Sequence, residues 1–120
     1  MIEDAVSAHA LALDRAGSIG FARYIISATT PFRRDDAGEL SRDAAGVVQR
    51  LFPDYRALFQ MRGWRLFPRI DRVYVNELAR LELGWRPRYD FRHVLDSLRM
   101  ERDPRSALAC EVGSKGYHAG

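Results

Sequence analysis

The strongest constraint on the fold is that only two short segments have the composition of β-strands, and helical patterns separate them. Residues 21–29 combine Tyr24 with two isoleucines and a threonine before Pro31, and residues 72–75 read Arg-Val-Tyr-Val. Runs rich in β-branched and aromatic residues predict strands. Two short strands separated by helices and long loops do not form a self-contained sheet. The sequence therefore predicts an α+β fragment of an α/β protein, mostly helical with two or three short strands that extend a sheet supplied elsewhere.

Apolar residues at helical spacing, together with capping residues, glycines and prolines, predict helices over the rest of the chain. The first helix is expected to pack through Ile2, Val6, Ala10 and Leu13 and to stop at Gly17 and Gly20. Ser41, Asn76 and Asp90 are predicted as helix caps. The predicted helices run from Ile2 to Leu13, Ser41 to Leu51, Pro53 to Gly63, Asn76 to Gly84, Asp90 to Leu98 and Ser106 to Val112.

A chain of 120 residues has room for one modest domain. We expect residues 1–102 to form that domain and residues 103–120 to form a helical turn and a flexible, glycine-rich tail that includes Lys115, Tyr117 and His118. Because a chain of this size buries only about two-thirds of its unfolded surface, we expect marginal stability unless it docks on a partner.

The basic residues are scattered and consist almost entirely of arginine. There are 18 Arg and one Lys, against 16 acidic residues, for a net charge of +3. The densest stretch, residues 62–72, interleaves four Arg with Trp64, Phe67 and Pro68. Nucleic-acid binders usually concentrate positive charge on one face or in one run, so no nucleic-acid partner is predicted. Guanidinium groups are well suited to paired contacts with phosphate or carboxylate.

The sequence also predicts a cytoplasmic location and no membrane partner. Cys110 is the only cysteine, which excludes an internal disulfide and a thiolate zinc cage. No apolar run approaches the roughly 18 residues that span a bilayer. The chain opens with Glu3 and Asp4, where a targeting signal would carry basic residues.

Four segments, in order and spacing, resemble the C-terminal part of a known enzyme family. These segments are Ile2–His9 (IEDAVSAH), Tyr24–Thr29 (YIISAT), Asp71–Asn76 (DRVYVN) and Leu83–Pro87 (LGWRP). They resemble the extended short-chain dehydrogenase/reductases, the NAD-dependent epimerase/dehydratase type typified by UDP-glucose 4-epimerase. The resemblance covers about residues 2–98 and implies a substrate-binding lobe that holds a nucleotide-sugar.

The catalytic half of that family has no counterpart in this sequence. The family's glycine-rich turn joins a strand to a helix, whereas Gly17-Ser18-Ile19-Gly20 follows a helix and precedes a predicted strand. The family's Tyr-x-x-x-Lys pair is absent, because Glu111 lies four residues before Lys115, the only lysine. The resemblance therefore implies a chain that is not catalytic alone, with no cofactor of its own and NAD(P) bound only in a complete enzyme.

The resemblance also suggests which residues bind the nucleotide-sugar. By position, the arginines that reach the diphosphate are Arg65, Arg69 and Arg72, although each could instead be solvated or paired with Asp71. A supporting loop is expected where the first predicted strand ends, at Thr29, Thr30 and Phe32.

Several other chemistry-bearing residues have plainer interpretations from their sequence context. We expect core positions for Tyr74 and Trp85, a core position for His9 on the apolar face of the first helix, and an inert apolar setting for Cys110. Arg33 and Arg34 are expected to be neutralised by the two aspartates that follow them. No spacing predicts a metal site or a catalytic triad.

Two further functions remain open at this level. The chain could be a stand-alone, non-catalytic binding module derived from such an enzyme, which pairs with a separate dinucleotide-binding half or with a second copy through its uncovered apolar surface. An arginine-rich nucleic-acid binder would differ from both, because its affinity would fall steeply with salt.

Overall fold

A computed structural model describes residues 1–113, and all regular secondary structure in that range is helical. A helix is present in each of the six predicted places. The elements are α1 (Ile2–Ile19), a 3-10 turn (Arg34–Asp36), α2 (Ala37–Leu51), α3 (Tyr55–Met61), α4 (Glu77–Leu83), α5 (Phe91–Arg99) and α6 (Ala107–Val112).

Neither of the two predicted strands is confirmed, because residues 21–29 and residues 72–75 form no ladder within the described part of the chain. The two segments meet through a side chain: Asn76 Nδ2 donates to Ser27 O at 2.9 Å and to Thr29 Oγ1 at 3.1 Å. Strand composition alone does not make a strand, since the backbone donors and acceptors need a second strand. The described structure is therefore all-α where two or three strands were predicted.

The helix ends follow the sequence signals at several places. Asp90 accepts a hydrogen bond from His93 N at 2.9 Å and caps α5, as predicted. Ser106 accepts one from Ala109 N and caps α6. Gly84 has a φ of 66°, a backbone conformation that favours glycine, and α4 ends there.

One core forms where α2, α3 and α5 meet. Aromatic rings dominate it, and Tyr55 and Phe59 pack edge to face with centroids 5.5 Å apart. Its buried residues are Val48, Phe52, Tyr55, Leu58, Phe59, Leu95 and Leu98.

A second core joins α1 to α4 around Trp85, which is 1% exposed, so its predicted core position is confirmed. The Trp85 indole donates to Asp4 O and to Ser7 Oγ, both at 3.0 Å. The buried Asp4 carboxylate accepts from the backbone N–H groups of Arg88 and Tyr89, at 2.9 and 3.0 Å. These bonds tie the start of the chain to the segment that leads into α5.

The packing face of α1 is not the predicted one. Ile2, Val6 and Leu13 are exposed, whereas Ala8 is buried against α4 and Trp85. His9 is exposed as well, and its Nδ1 contacts Ala5 O, so the core position expected for it is wrong. The small Ala8 side chain lets α4 approach closely, and Leu11 and Ile19 pack beside it, whereas Ile2, Val6 and Leu13 are left on the opposite face.

A break inside α2 positions the segment that follows α3. Asp43 has non-helical backbone angles (φ −145°, ψ 73°), so the helical hydrogen bond between Ala44 N and Leu40 O is not made. Instead, Ala44 N donates to Pro68 O at 3.1 Å, and Leu40 O accepts from Ile70 N at 2.9 Å. Asp43 Oδ1 accepts from the N–H of residue 46 at 2.9 Å and caps the second half. The helix-starting role predicted for Ser41 is therefore wrong, because that residue lies inside α2.

The C-terminal piece packs on the rest of the structure. Helix α6 contacts α1, and Ser106 N lies 3.2 Å from Met1 Sδ. The predicted tail residues Lys115, Tyr117 and His118 lie outside the described residues. None of the described helices is long and apolar enough to cross a membrane.

Candidate functional site

Four of the six predicted substrate-binding residues line one pocket. We call this cavity of about 260 Å³ the threonine pocket; it lies between residues 27–32 and residues 72–74. Its lining includes Thr29, Thr30, Phe32 and Arg72. Two segments that are distant in sequence therefore line the same space, which also has apolar walls from Phe32, Val73 and Phe91.

Asn76 holds the two sides of the threonine pocket together. It is 3% exposed, and besides its bonds to Ser27 and Thr29 it accepts from Arg80 Nε at 3.0 Å. Asn76 precedes α4 as predicted, but its side chain makes no capping bond. The capping prediction is wrong because the carboxamide bridges to residues 27–29 instead.

The two threonine hydroxyl groups of the threonine pocket each accept one hydrogen bond. Thr29 Oγ1 accepts from Asn76, and Thr30 Oγ1 accepts from Phe32 N at 3.1 Å. Because a hydroxyl has one proton as well as its acceptor lone pairs, each threonine keeps its O–H free to donate. Ser27 Oγ is buried and has no hydrogen-bond partner within residues 1–113. Unsatisfied buried polar atoms of this kind call for a ligand or water.

Arg72 is the only one of the three predicted arginines in the threonine pocket. It is exposed, and among residues 1–113 neither it nor Asp71 forms an ion pair, so pairing with Asp71 is not observed. Arg65 lines a different cleft, beside α3. Arg69 is exposed and lines neither of these cavities.

A second cavity of about 280 Å³, the arginine pocket, adjoins the threonine pocket and shares Phe32 and Val73 with it. Arg33 and Arg34 line it with Asp71. Together the two pockets present three guanidinium groups and one carboxylate, which favours an anionic ligand.

The expected neutralisation of Arg33 and Arg34 is not observed. Asp36 pairs with Arg50 at 3.2 Å, and its other oxygen accepts from the Arg33 backbone N–H. Neither arginine forms an ion pair with Asp35 within the described part of the chain. Sequence reasoning treated this run as self-neutralising. The run begins three residues after Thr30, and this position was the signal that could have marked Arg33 and Arg34 as site candidates.

Tyr74 also belongs to the threonine pocket, where it is 55% exposed, so the core position expected for it is wrong. A tyrosine beside a polar cavity offers an aromatic face and a hydroxyl to a ligand. Cys110 is exposed, contrary to the apolar setting expected for it. Among residues 1–113, no group of three His, Cys, Asp or Glu side chains is arranged to hold a metal ion.

The Gly17–Gly20 segment does not have the geometry of a pyrophosphate-binding turn. Gly20 closes the C-terminal end of α1, where its N–H donates to Ala16 O at 2.9 Å. Carbonyl groups cluster at that end of a helix, whereas a pyrophosphate is held by the free N–H groups of a helix N-terminus. Gly17, Ser18 and Ile19 form the last turn of α1 and Gly20 ends the helix, so the connector predicted from the sequence begins only at Gly20.

Comparisons of the chain with protein-family models, with curated proteins and with solved structures found no match.

Proposed function

We propose that the chain is the substrate-binding lobe of an NAD(P)-dependent nucleotide-sugar epimerase or dehydratase, and that it binds the nucleotide diphosphate without catalysing the reaction alone. The observation that carries the proposal is the presence of Thr29, Thr30 and Arg72 around one pocket. The four sequence segments that resemble the extended short-chain dehydrogenase/reductases support the same function.

The chemistry of the two adjoining pockets suits a diphosphate. Arg72 supplies paired N–H donors to phosphoryl oxygens, and the threonine hydroxyls donate at the same side. Arg33 and Arg34 extend the positive surface into the arginine pocket. Tyr74 provides an aromatic face for the sugar or the base.

A large exposed surface supports the part of the proposal that requires a partner. The accessible surface is 9183 Å², against about 6,600 Å² for a compact monomer of this mass. Residues 21–29 have strand composition and no ladder within the described range. A sheet edge from a dinucleotide-binding half would pair these backbone groups.

The test is calorimetric titration of the full 120-residue chain with UDP-glucose, UDP and NAD. We expect both UDP compounds to bind and NAD not to bind. Arg72→Gln should weaken UDP binding about tenfold. This is the lower end of the range for hydrogen bonds to charged groups, and we expect the lower end because Arg72 is exposed to solvent. Arg86→Gln is the matched control, since Arg86 is exposed and lines neither pocket. Equal binding by the two variants, or no binding of UDP by the wild-type chain, would contradict the proposal.

The alternative, a stand-alone module that forms oligomers, is supported by one observation. Ile2, Val6 and Leu13 form an exposed apolar stripe on α1. Sedimentation of the isolated chain separates the two proposals. A concentration-dependent dimer that Val6→Glu dissociates, with no UDP binding, would favour the module.

A further inference from the structure

The largest of the cavities described above lies beside α3, away from both pockets of the proposed substrate site. We call it the tryptophan cleft; its volume is about 430 Å³, within the usual range of small-molecule sites. Its lining includes Tyr55, Phe59 and Trp64, together with Arg56 and Arg65. It shares no lining residue with the threonine pocket or the arginine pocket.

The end of α3 fixes the position of Trp64 at the tryptophan cleft. Gly63 has a φ of 65°, Gly63 N donates to Gln60 O at 3.1 Å, and Trp64 N donates to Phe59 O at 2.9 Å. This pair of bonds is the Schellman arrangement, which commonly brings the two side chains at its ends together. The rings of Trp64 and Phe59 accordingly pack edge to face, with centroids 5.6 Å apart. Trp64 still keeps 43% of its surface exposed.

The charge of the tryptophan cleft is positive. Arg56 and Arg65 line it, no Asp or Glu lines it, and within residues 1–113 neither arginine forms an ion pair. Gln60 adds an exposed amide to the same lining. Two unpaired guanidinium groups beside a fixed indole can hold an anion and a flat ring at the same time.

We infer that the tryptophan cleft is a second binding site, whose ligand is a small aromatic anion: a flat ring bonded to a phosphate or carboxylate. The ring packs against Trp64, and the anionic group accepts hydrogen bonds from Arg56 and Arg65. Arg65, predicted from sequence to hold a diphosphate beside Arg72, belongs to this second site instead. The inference does not depend on the proposed nucleotide-sugar function, because the two sites have separate residues.

The test uses phenyl phosphate as the probe, with inorganic phosphate and phenol as its two halves. Acrylamide quenching of tryptophan fluorescence in the full chain reports mainly on Trp64, since Trp85 is 1% exposed. We expect phenyl phosphate to protect Trp64 from quenching and to bind at least about tenfold more tightly than either half. Arg56→Gln and Arg65→Gln should each weaken phenyl phosphate binding about tenfold.

Three further variants make the result specific. Trp64→Leu, followed by calorimetry, should abolish the preference for phenyl phosphate over inorganic phosphate, while Trp64→Phe should retain it. Arg72→Gln should leave phenyl phosphate affinity unchanged. The inference is overturned if inorganic phosphate binds as tightly as phenyl phosphate. It is also overturned if Arg56→Gln and Arg65→Gln both keep wild-type affinity for phenyl phosphate, or if Arg72→Gln lowers that affinity as much as these two variants do. Benzoate in place of phenyl phosphate tells a carboxylate ligand from a phosphate ligand.

Discussion

Asn76 offers the sharpest test of how the candidate site is assembled. Its buried carboxamide donates to Ser27 O and Thr29 Oγ1 and accepts from Arg80 Nε. Asn76→Ala removes all three bonds and leaves a part-buried carbonyl without its donor. Each hydrogen bond contributes about 1 kcal/mol, and the bond to the exposed Arg80 contributes less than the other two. We therefore expect Asn76→Ala to lower the free energy of unfolding by about 2–3 kcal/mol.

Urea denaturation followed by circular dichroism measures this loss. We expect the midpoint to fall with an unchanged slope, because the variant keeps the fold and loses only local bonds. Asn76→Asp should be at least as destabilising, since it keeps an acceptor for Arg80 but turns a carboxylate oxygen toward Ser27 O. Arg80→Ala removes only the bond to Asn76 Oδ1, so it should cost about 1 kcal/mol, less than Asn76→Ala. A loss below about 0.5 kcal/mol for Asn76→Ala would refute the bridging role.

Three further predictions concern other parts of the structure. The hydrogen bond to Glu82 at 2.6 Å, with some desolvation, raises the pKa of Tyr24 above its usual 10.0. The stability that this bond contributes should therefore be lost as pH rises through the raised pKa. Glu82→Gln should lower the pKa of Tyr24, measured by a tyrosinate absorbance titration from which the signal of Tyr24→Phe is subtracted. Asp4→Ala should cost about 3 kcal/mol in a urea titration, because two backbone N–H groups lose a charged acceptor. A Cβ at Gly46 would overlap the Asp43 carboxylate, so in the wild type this clash should offset the higher helix propensity of alanine and leave Gly46→Ala near neutral. In the Asp43→Ala background the clash is absent, and a double-mutant cycle should show Gly46→Ala stabilising by about 0.5–1 kcal/mol.

The candidate site could be predicted from the sequence only in part. The Thr29–Phe32 loop and Arg72 could be selected by their positions in recognisable segments, and the structure brings them to one pocket. Arg65 and Arg69 could not be separated from Arg72, because sequence spacing does not reveal where an irregular segment turns. That turn is decided by the contact of residues 68 and 70 with the broken α2 helix.

The sequence by itself determined where the helices form and where several of them end. Apolar spacing, Asp90, Ser106 and Gly84 act over three or four residues, so their effect does not depend on distant contacts. Only the tertiary structure decided which face of α1 is buried and whether residues 21–29 find a strand partner. Both outcomes depend on which distant segment packs alongside, and the energy of that packing overrides local propensity.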